Sequence, residues 1–227
     1  MIIVDLNKLR LYVFEHINGV PRLIKGFYAT IGKNGFGKYK EGDQRTLVRV
    51  YFVSSFIGHS DLPDLYGEGA FPINYPNVWD RKNGYTGYGI WLHVAPSNTC
   101  SQPPRDSDGC VIVSNQGLLA LTPYIKMRKT PVILTKNIDW VDKDVWIKQQ
   151  AKYWTFVEQW RRDWKSLNTD LYLSHYSAEY SGLEKDYENW VEYKHRVNST
   201  KKFVKVGLSD TSIFLYPDEG NIFGCEF

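Results

Sequence analysis

His93 and Cys110 bracket the stretch "HVAPSNTCSQPPRDSDGC", with Cys100 inside it. A thiol attacks a carbonyl carbon as the thiolate, so it needs a neighbouring base or a depressed pKa. His93 ends the apolar run "GIWLHV", and Cys110 opens the run "CVIVS". Two such strands lying side by side would bring an imidazole near a sulfur. Ser107, Asp108 and Gly109 form a tight turn just before Cys110. Gly109 lets backbone pass close to a substrate, and amides of that turn are candidates to stabilise a tetrahedral oxyanion. The alternatives are two ordinary core residues, or a Cys100–Cys110 disulfide that would consume the nucleophile. A zinc site fits poorly, because neither the Cys-x2–4-Cys nor the His-x3–5-His spacing occurs.

Other motifs carry less. "GKNGFGK" (32–38) has Tyr39 where a phosphate-binding loop needs Ser or Thr, and it sits between strands, so it reads as a loop. Asn198 in "NST" fits a glycosylation sequon, a short pattern that arises often by chance.

The elements around His93 and Cys110 read as short strands. "IIVDLNKLRLYVFE" alternates around a turn, and Asn18-Gly19 is a two-residue hairpin signal before "LIKGFYATIG". "TLVRVYFVSSFIG", "GIWLHV", "CVIVS" and "TPVILTK" complete an all-β pattern, a sandwich or barrel, to about residue 138. The insertion "YGEGAFPINYPNVWDRKNGYTGYG" reads as a long loop, of the length usually reserved for the wall or lid of a cleft. From Asp144 the period changes: Tyr153, Val157, Trp160 and Trp164 share one helix face, and "EKDYENWVEYKHRV" is a second amphipathic helix. "KKFVKVGLSDTSIFLYPDEG" reads as strand, turn and strand. The expected architecture is therefore a mainly β domain over 1–138, followed by a smaller α+β domain over 139–227. The chain stops soon after a strand begins, which suggests that further C-terminal strands are missing.

With 227 residues and a net charge of +3, the composition makes no electrostatic case for nucleic acid. No apolar run approaches the roughly 18 residues that span a bilayer, so no integral membrane segment is expected. The N-terminus reads directly as strand, which places any export signal outside this chain. Three cysteines rule out a dense disulfide framework. Thirty-five aromatic residues, 16 Tyr, 11 Phe and 8 Trp, suit a core or a cleft for sugars and peptides.

"GIWLHVAP…RDSDGCVIVSN" resembles the active-site signature of YkuD-type L,D-transpeptidases, cysteine enzymes of bacterial cell walls. That signature is a strand ending in His-Gly, a loop, and Ser/Thr-x-Gly-Cys leading into a strand. Here it is carried by His93, Ser107, Gly109 and Cys110, and the resemblance runs through residues 2 to 137. "YWTFVEQWRRDWKSLNTDLYLSHYSAEY" is similar to the opening helices of a nuclear-transport-factor-two-like (NTF2-like) domain. Some proteobacterial members carry such a domain after the catalytic one, including L,D-carboxypeptidases that shape helical cells.

The resemblance implies that Cys110, deprotonated by His93, attacks the third residue of a peptidoglycan tetrapeptide stem and forms a thioester. An amine from a second stem would then make a cross-link, or water would trim the stem to a tripeptide. The carbonyl of Val94 would orient the imidazole. Tyr75, Trp79, Asp80 and Arg81 of the insertion, with Trp91, would line the cleft, with loop packing as the alternative for the insertion residues. No cofactor or metal is implied; the partner is the peptide stem and the place is the periplasm or cell envelope. A non-catalytic wall-binding module is the reading from another class. Three departures stand out: His93-Val94 replaces His-Gly, and Leu47 and Arg49 replace the family's Pro and Gly. Val94 fits only if its backbone does not need a positive φ, and its side chain is expected to narrow the cleft. Arg49 fits only if it faces solvent or a carboxylate.

Overall fold

The computed structural model describes every residue except 18, 97, 100, 101, 218, 221, 222 and 227. Asn18 of the expected hairpin signal and Cys100 therefore lie outside the described residues. By compactness the chain forms two units, 1–140 with 214–224, and 141–213 with 225–227. The linear reading assigns 214–224 to the second region; the structure groups that segment with the first unit.

The first unit contains strands β1 (Ile2–Asp5), β2 (Arg10–Ile17), β3 (Val20–Tyr28), β4 (Ile31–Gly32), β5 (Arg49–Phe52), β6 (Ile57–Gly58) and β7 (Gly69–Pro72). Helix α1 (Val78–Lys82) follows, then β8 (Trp91–Val94), β9 (Arg105–Ser107), β10 (Val111–Val113), helix α2 (Asn115–Leu121) and β11 (Pro131–Thr135). One sheet has the order β3-β2-β1-β11-β5, and a second has the order β10-β8-β7-β6. Alternation along these strands sends Ile2, Val4, Leu11, Val13, Tyr51, Phe71, Leu92, Val94, Val111, Val113, Val132 and Leu134 into one buried cluster. The β2–β3 pair closes with Ile17 opposite Val20, the two-residue spacing of a tight hairpin.

The segment expected as a long loop holds regular structure. β7 pairs antiparallel with β8, and α1 is a one-turn helix with a capping box between Asn77 and Asp80. Glycine at 69 and proline at 72 mask a strand of only four residues, because both are depleted in strand statistics.

The second unit is built on α3 (Lys143–Ser166), α4 (Thr169–Leu173) and α5 (Tyr187–Ser199). Its core gathers Tyr172, Leu173 and Trp190, with Trp160, Trp164, Tyr176, Tyr180 and Tyr193 packed against them. Lys194 is buried on α5, its ammonium facing the rings of Trp164, Tyr172 and Trp190 at 4.5–4.9 Å. The final strands are β12 (Ser212–Leu215) and β13 (Phe223–Glu226), paired with each other. The first strand expected in "KKFVKVGLSD" does not form; 203–209 have no regular structure. Its lysines interrupt the apolar alternation, and Phe203 is exposed. No helix among the described residues is long and apolar enough to cross a membrane.

Candidate active site

β8 and β10 run parallel, with Leu92 opposite Val111, His93 opposite Ile112 and Val94 opposite Val113. Register partners in a sheet share a face. Leu92, Val94, Val111 and Val113 belong to the core cluster, which leaves His93 on the other face. Cys110 precedes Val111 by one residue and so returns to the His93 side. The sulfur is anchored there: the Trp91 N–H donates to Sγ at 3.4 Å, and the thiol donates to the Gly89 carbonyl at 3.5 Å. Cys110 is a free thiol and half-buried.

The turn before Cys110 is braced from within and from below. Ser107 Oγ donates to the Cys110 carbonyl at 2.7 Å and accepts from the Gly109 N–H at 3.1 Å. Gly109 has φ +125, and a Cβ there would stand 2.8 Å from the Arg45 carbonyl oxygen. Only glycine combines that φ with that approach. Asp108 is exposed and accepts from Lys33 Nζ at 3.1 Å and Gln44 Nε2 at 2.9 Å. The Lys33 N–H also donates to the Ser107 carbonyl. The loop 33–46 is thus a buttress under the Cys110 turn. Inside that loop Asp43 accepts from the N–H groups of Tyr39, Lys40 and Arg45 and pairs with buried Lys38 at 2.9 Å.

His93 is 5% exposed, and its Nδ1 lies 2.8 Å from the Val94 carbonyl oxygen. A carbonyl oxygen only accepts, so Nδ1 carries the proton and Nε2 keeps its lone pair. Val94 sits in an extended strand with no positive φ, so the change from the family's glycine costs no backbone strain. Its side chain does not narrow the cleft. Strand alternation points it into the core, where it is 0% exposed.

Burial drives the pair toward neutrality. It pushes His93 down to about 4, against the opposing pull of the Val94 carbonyl. It pushes the Cys110 thiol up to about 11; the Trp91 amide and Lys38 lower it, and Asp108 raises it. The resting site therefore holds a thiol and a neutral imidazole.

The expected cleft residues separate. Trp91 lies with the site, its ring 5.0 Å from that of Tyr66. Tyr75 is in the core cluster and donates to the Thr86 carbonyl at 2.5 Å. Asp80 is fully buried; it accepts from the Asn77 N–H at 2.9 Å and from Tyr51 Oη at 3.1 Å. Trp79 is half-buried against Tyr216, and Arg81 donates to the Pro76 carbonyl. These four serve the packing of α1 and its flanks. Tyr66, which no spacing or motif singles out, is the aromatic ring against His93, at 4.9 Å between centroids. Its only signal is its place at the head of the Gly- and Tyr-rich insertion.

Arg49 is buried and faces carboxylates. Nε lies 3.2 Å from Asp80, Nη1 lies 2.5 Å from Glu219, and Nη2 donates to Tyr85 Oη at 2.7 Å. Its guanidinium also lies 4.6 Å from the Tyr85 ring centroid. Leu47 joins the core at 1% exposure. Among the described residues no group of three or more His, Cys, Asp or Glu could hold a metal ion.

Comparison with known proteins places the chain in a family. Residues 1–134 match the L,D-transpeptidase catalytic domain, YkuD, and residues 152–227 match the Cds6 C-terminal NTF2-like domain. No curated protein matches the chain. Bd1075 of Bdellovibrio bacteriovorus is similar at 31% identity and TM-score 0.82, over 95% of this chain and 76% of that one. The helical cell shape determining protein Pgp2 from Campylobacter jejuni is similar at 26% identity and TM-score 0.79, over 97% of this chain and 76% of that one. The catalytic domain and the second domain both match, and the chain belongs to the YkuD L,D-transpeptidase family.

Proposed function

We propose that this protein is a cysteine acyltransferase acting on peptidoglycan peptide stems in the cell envelope, with Cys110 as nucleophile and His93 as base. The observation that carries this reading is the hydrogen bond from His93 Nδ1–H to the Val94 carbonyl, which leaves Nε2 as a proton acceptor on the Cys110 side of the sheet. Sγ attacks the carbonyl carbon of the third stem residue while its proton passes to Nε2. The tetrahedral intermediate carries its negative charge on oxygen. Gly109 N–H is already committed to Ser107, so the Cys110 amide is the remaining candidate in the turn to stabilise that charge. Collapse breaks the peptide bond; the imidazolium returns its proton to the departing D-alanine nitrogen, and a thioester remains.

An amine from a second stem resolves the thioester in a transpeptidase, giving a cross-link. Water resolves it in a carboxypeptidase, trimming the stem to a tripeptide; the likeness to Pgp2, a helical cell shape determining protein, runs through both domains. Trimming stems to tripeptides removes cross-linking substrate without adding bonds. Incubation with disaccharide-tetrapeptide, with and without an acceptor stem, followed by mass analysis, tests both readings. Dimer marks the transpeptidase, tripeptide alone marks the carboxypeptidase, and Cys110→Ala must abolish either product. Unchanged substrate, with no thioester on Cys110, would leave a wall-binding module.

A further inference from the structure

Tyr66 ends the short 3-10 turn Asp64–Tyr66, and its ring meets two side chains of β8 at once. The centroid lies 4.9 Å from His93 at an interplanar angle of 66°, and 5.0 Å from Trp91 at 48°. The backbone that follows leaves the ring little freedom. Gly67 has φ +47, and a Cβ there would stand 2.5 Å from the Ala95 carbonyl oxygen and 2.6 Å from Val94 Cγ2. His59 Nδ1 is hydrogen-bonded to the Gly67 carbonyl at 2.8 Å, and the Glu68 N–H donates to Asn115 Oδ1 at 3.2 Å. The turn is thereby fastened to the end of the strand that carries the base.

We propose that Tyr66 is a positioning residue for the acyl transfer: its ring fixes the plane of the His93 imidazole and keeps water from it, so that Nε2 stays a neutral acceptor for the thiol proton. This rests on the cysteine acyltransferase reading above. An edge-to-face ring contact restricts rotation about the imidazole's last bond without competing for its nitrogens. A hydrogen-bonding neighbour would instead take the Nε2 lone pair that the thiol needs. Removing water disfavours the charged imidazolium, in keeping with the downward displacement of His93 by burial. The phenol is itself raised, by burial first, then by Cys110 once that thiol is ionised and by the Asp108 carboxylate, so the ring stays neutral beside the thiol.

Among the described residues, Tyr66 faces His93 from the 3-10 turn, and Cys110 immediately precedes the neighbouring strand, on the same face of the sheet, with Asp108 and Lys38 acting on the thiol. His59 stands behind Gly67. β7 presents Ala70 opposite His93, without charge.

The test follows the His93 ring by NMR in the Cys110→Ala protein, which needs no turnover, with His93→Gln to assign the resonance. Tyr66→Ala is expected to raise the His93 titration by about one pH unit or more toward the ordinary 6.5. Tyr66→Phe, which keeps the ring, is expected to titrate with the parent. Where Tyr66→Ala fails to fold, Tyr66→Asn supplies the same comparison, since it removes the ring and admits water beside the imidazole. A His93 titration unchanged in Tyr66→Ala or Tyr66→Asn overturns the proposal; so does a Tyr66→Phe protein that titrates like Tyr66→Ala. In the Cys110-intact protein, Tyr66→Ala should lower kcat on tetrapeptide by about tenfold or more, with KM less affected. If wild-type protein forms no thioester, the acyltransferase reading fails, while the NMR comparison still judges the placement of Tyr66.

Discussion

His93 donates its Nδ1 proton to the carbonyl oxygen of Val94, the next residue of the same strand, at 2.8 Å. An imidazole oriented by its own neighbour's backbone needs no carboxylate, and it makes the residue at 94 exchangeable in side chain but not in position. Val94→Gly retains that oxygen, so its expected effect falls on stability. Deleting a fully buried valine side chain and loosening a strand should lower stability by about 2–3 kcal/mol. Chemical denaturation, with the midpoint shifted at constant slope, checks this.

Replacing the proposed base is a different experiment. His93→Gln keeps a polar side chain of similar reach but no proton acceptor of comparable strength. Tripeptide or dimer formation should fall by about 10²–10⁴-fold, as for the loss of a general base. Thioester accumulation on Cys110, followed by mass, should slow by the same factor.

The two opposed displacements at the site set a pH window for stability. His93 titrates near 4 when folded and near 6.5 when unfolded, so the folded state gains from a neutral imidazole above 6.5 and loses that gain as pH falls toward 4. The loss is about 3 kcal/mol over that interval. Cys110 mirrors it: the folded thiol holds its proton to about 11 and the unfolded one only to about 9, so stability also drops as pH rises between those values. The denaturation midpoint should decline on the acid side in the wild type and decline less in His93→Gln. Alkylation of Cys110 by iodoacetamide should be slow at pH 7 and still rising above pH 9.

Arg49 tests the buried ionic cluster. Arg49→Met leaves Asp80 buried with one cation fewer, and loss of one partner from such a cluster costs about 3–5 kcal/mol. Arg49→Met with Asp80→Asn should recover part of that loss, because the uncompensated carboxylate is gone too. The coupling term of the double-mutant cycle measures it.

Gly109→Ala should disturb the site without touching either reacting residue. The new Cβ meets the Arg45 carbonyl at 2.8 Å in a backbone conformation that disfavours L side chains. Product formation should fall, and the crystal structure of the variant should show the Ser107–Cys110 turn displaced from Arg45.

The candidate site was legible in the sequence where chemistry and secondary structure coincide. His93 and Cys110 sit at the end of one apolar run and the start of another, and parallel pairing of those runs puts them on one face. What surrounds them was less legible, because tertiary closure decides it. β7 is hidden by its glycine and proline, and Tyr66 reaches His93 only because Gly67 fits against the end of β8. The same holds for Arg49, whose partners lie 31 and 170 residues away in the chain. Asp80 offers the opposite lesson: a carboxylate in an aromatic loop looks like a ligand for substrate, yet it is the third-residue partner of Asn77 in a helix-capping box.

The ionic cluster around Arg49 also bears on where the catalytic portion of this chain can be cut. Glu219 reaches that arginine at 2.5 Å, Phe214 lies 6.1 Å from Phe52, and Tyr216 lies 6.2 Å from Trp79. The segment 214–224 thus acts as a distant-in-sequence patch on the first unit. A protein shortened to its first 138 residues would retain Cys110, His93 and their whole hydrogen-bonding circle. It would also expose two aromatic rings and leave a guanidinium facing one carboxylate in place of two. Such a fragment should keep its chemistry and lose its solubility first.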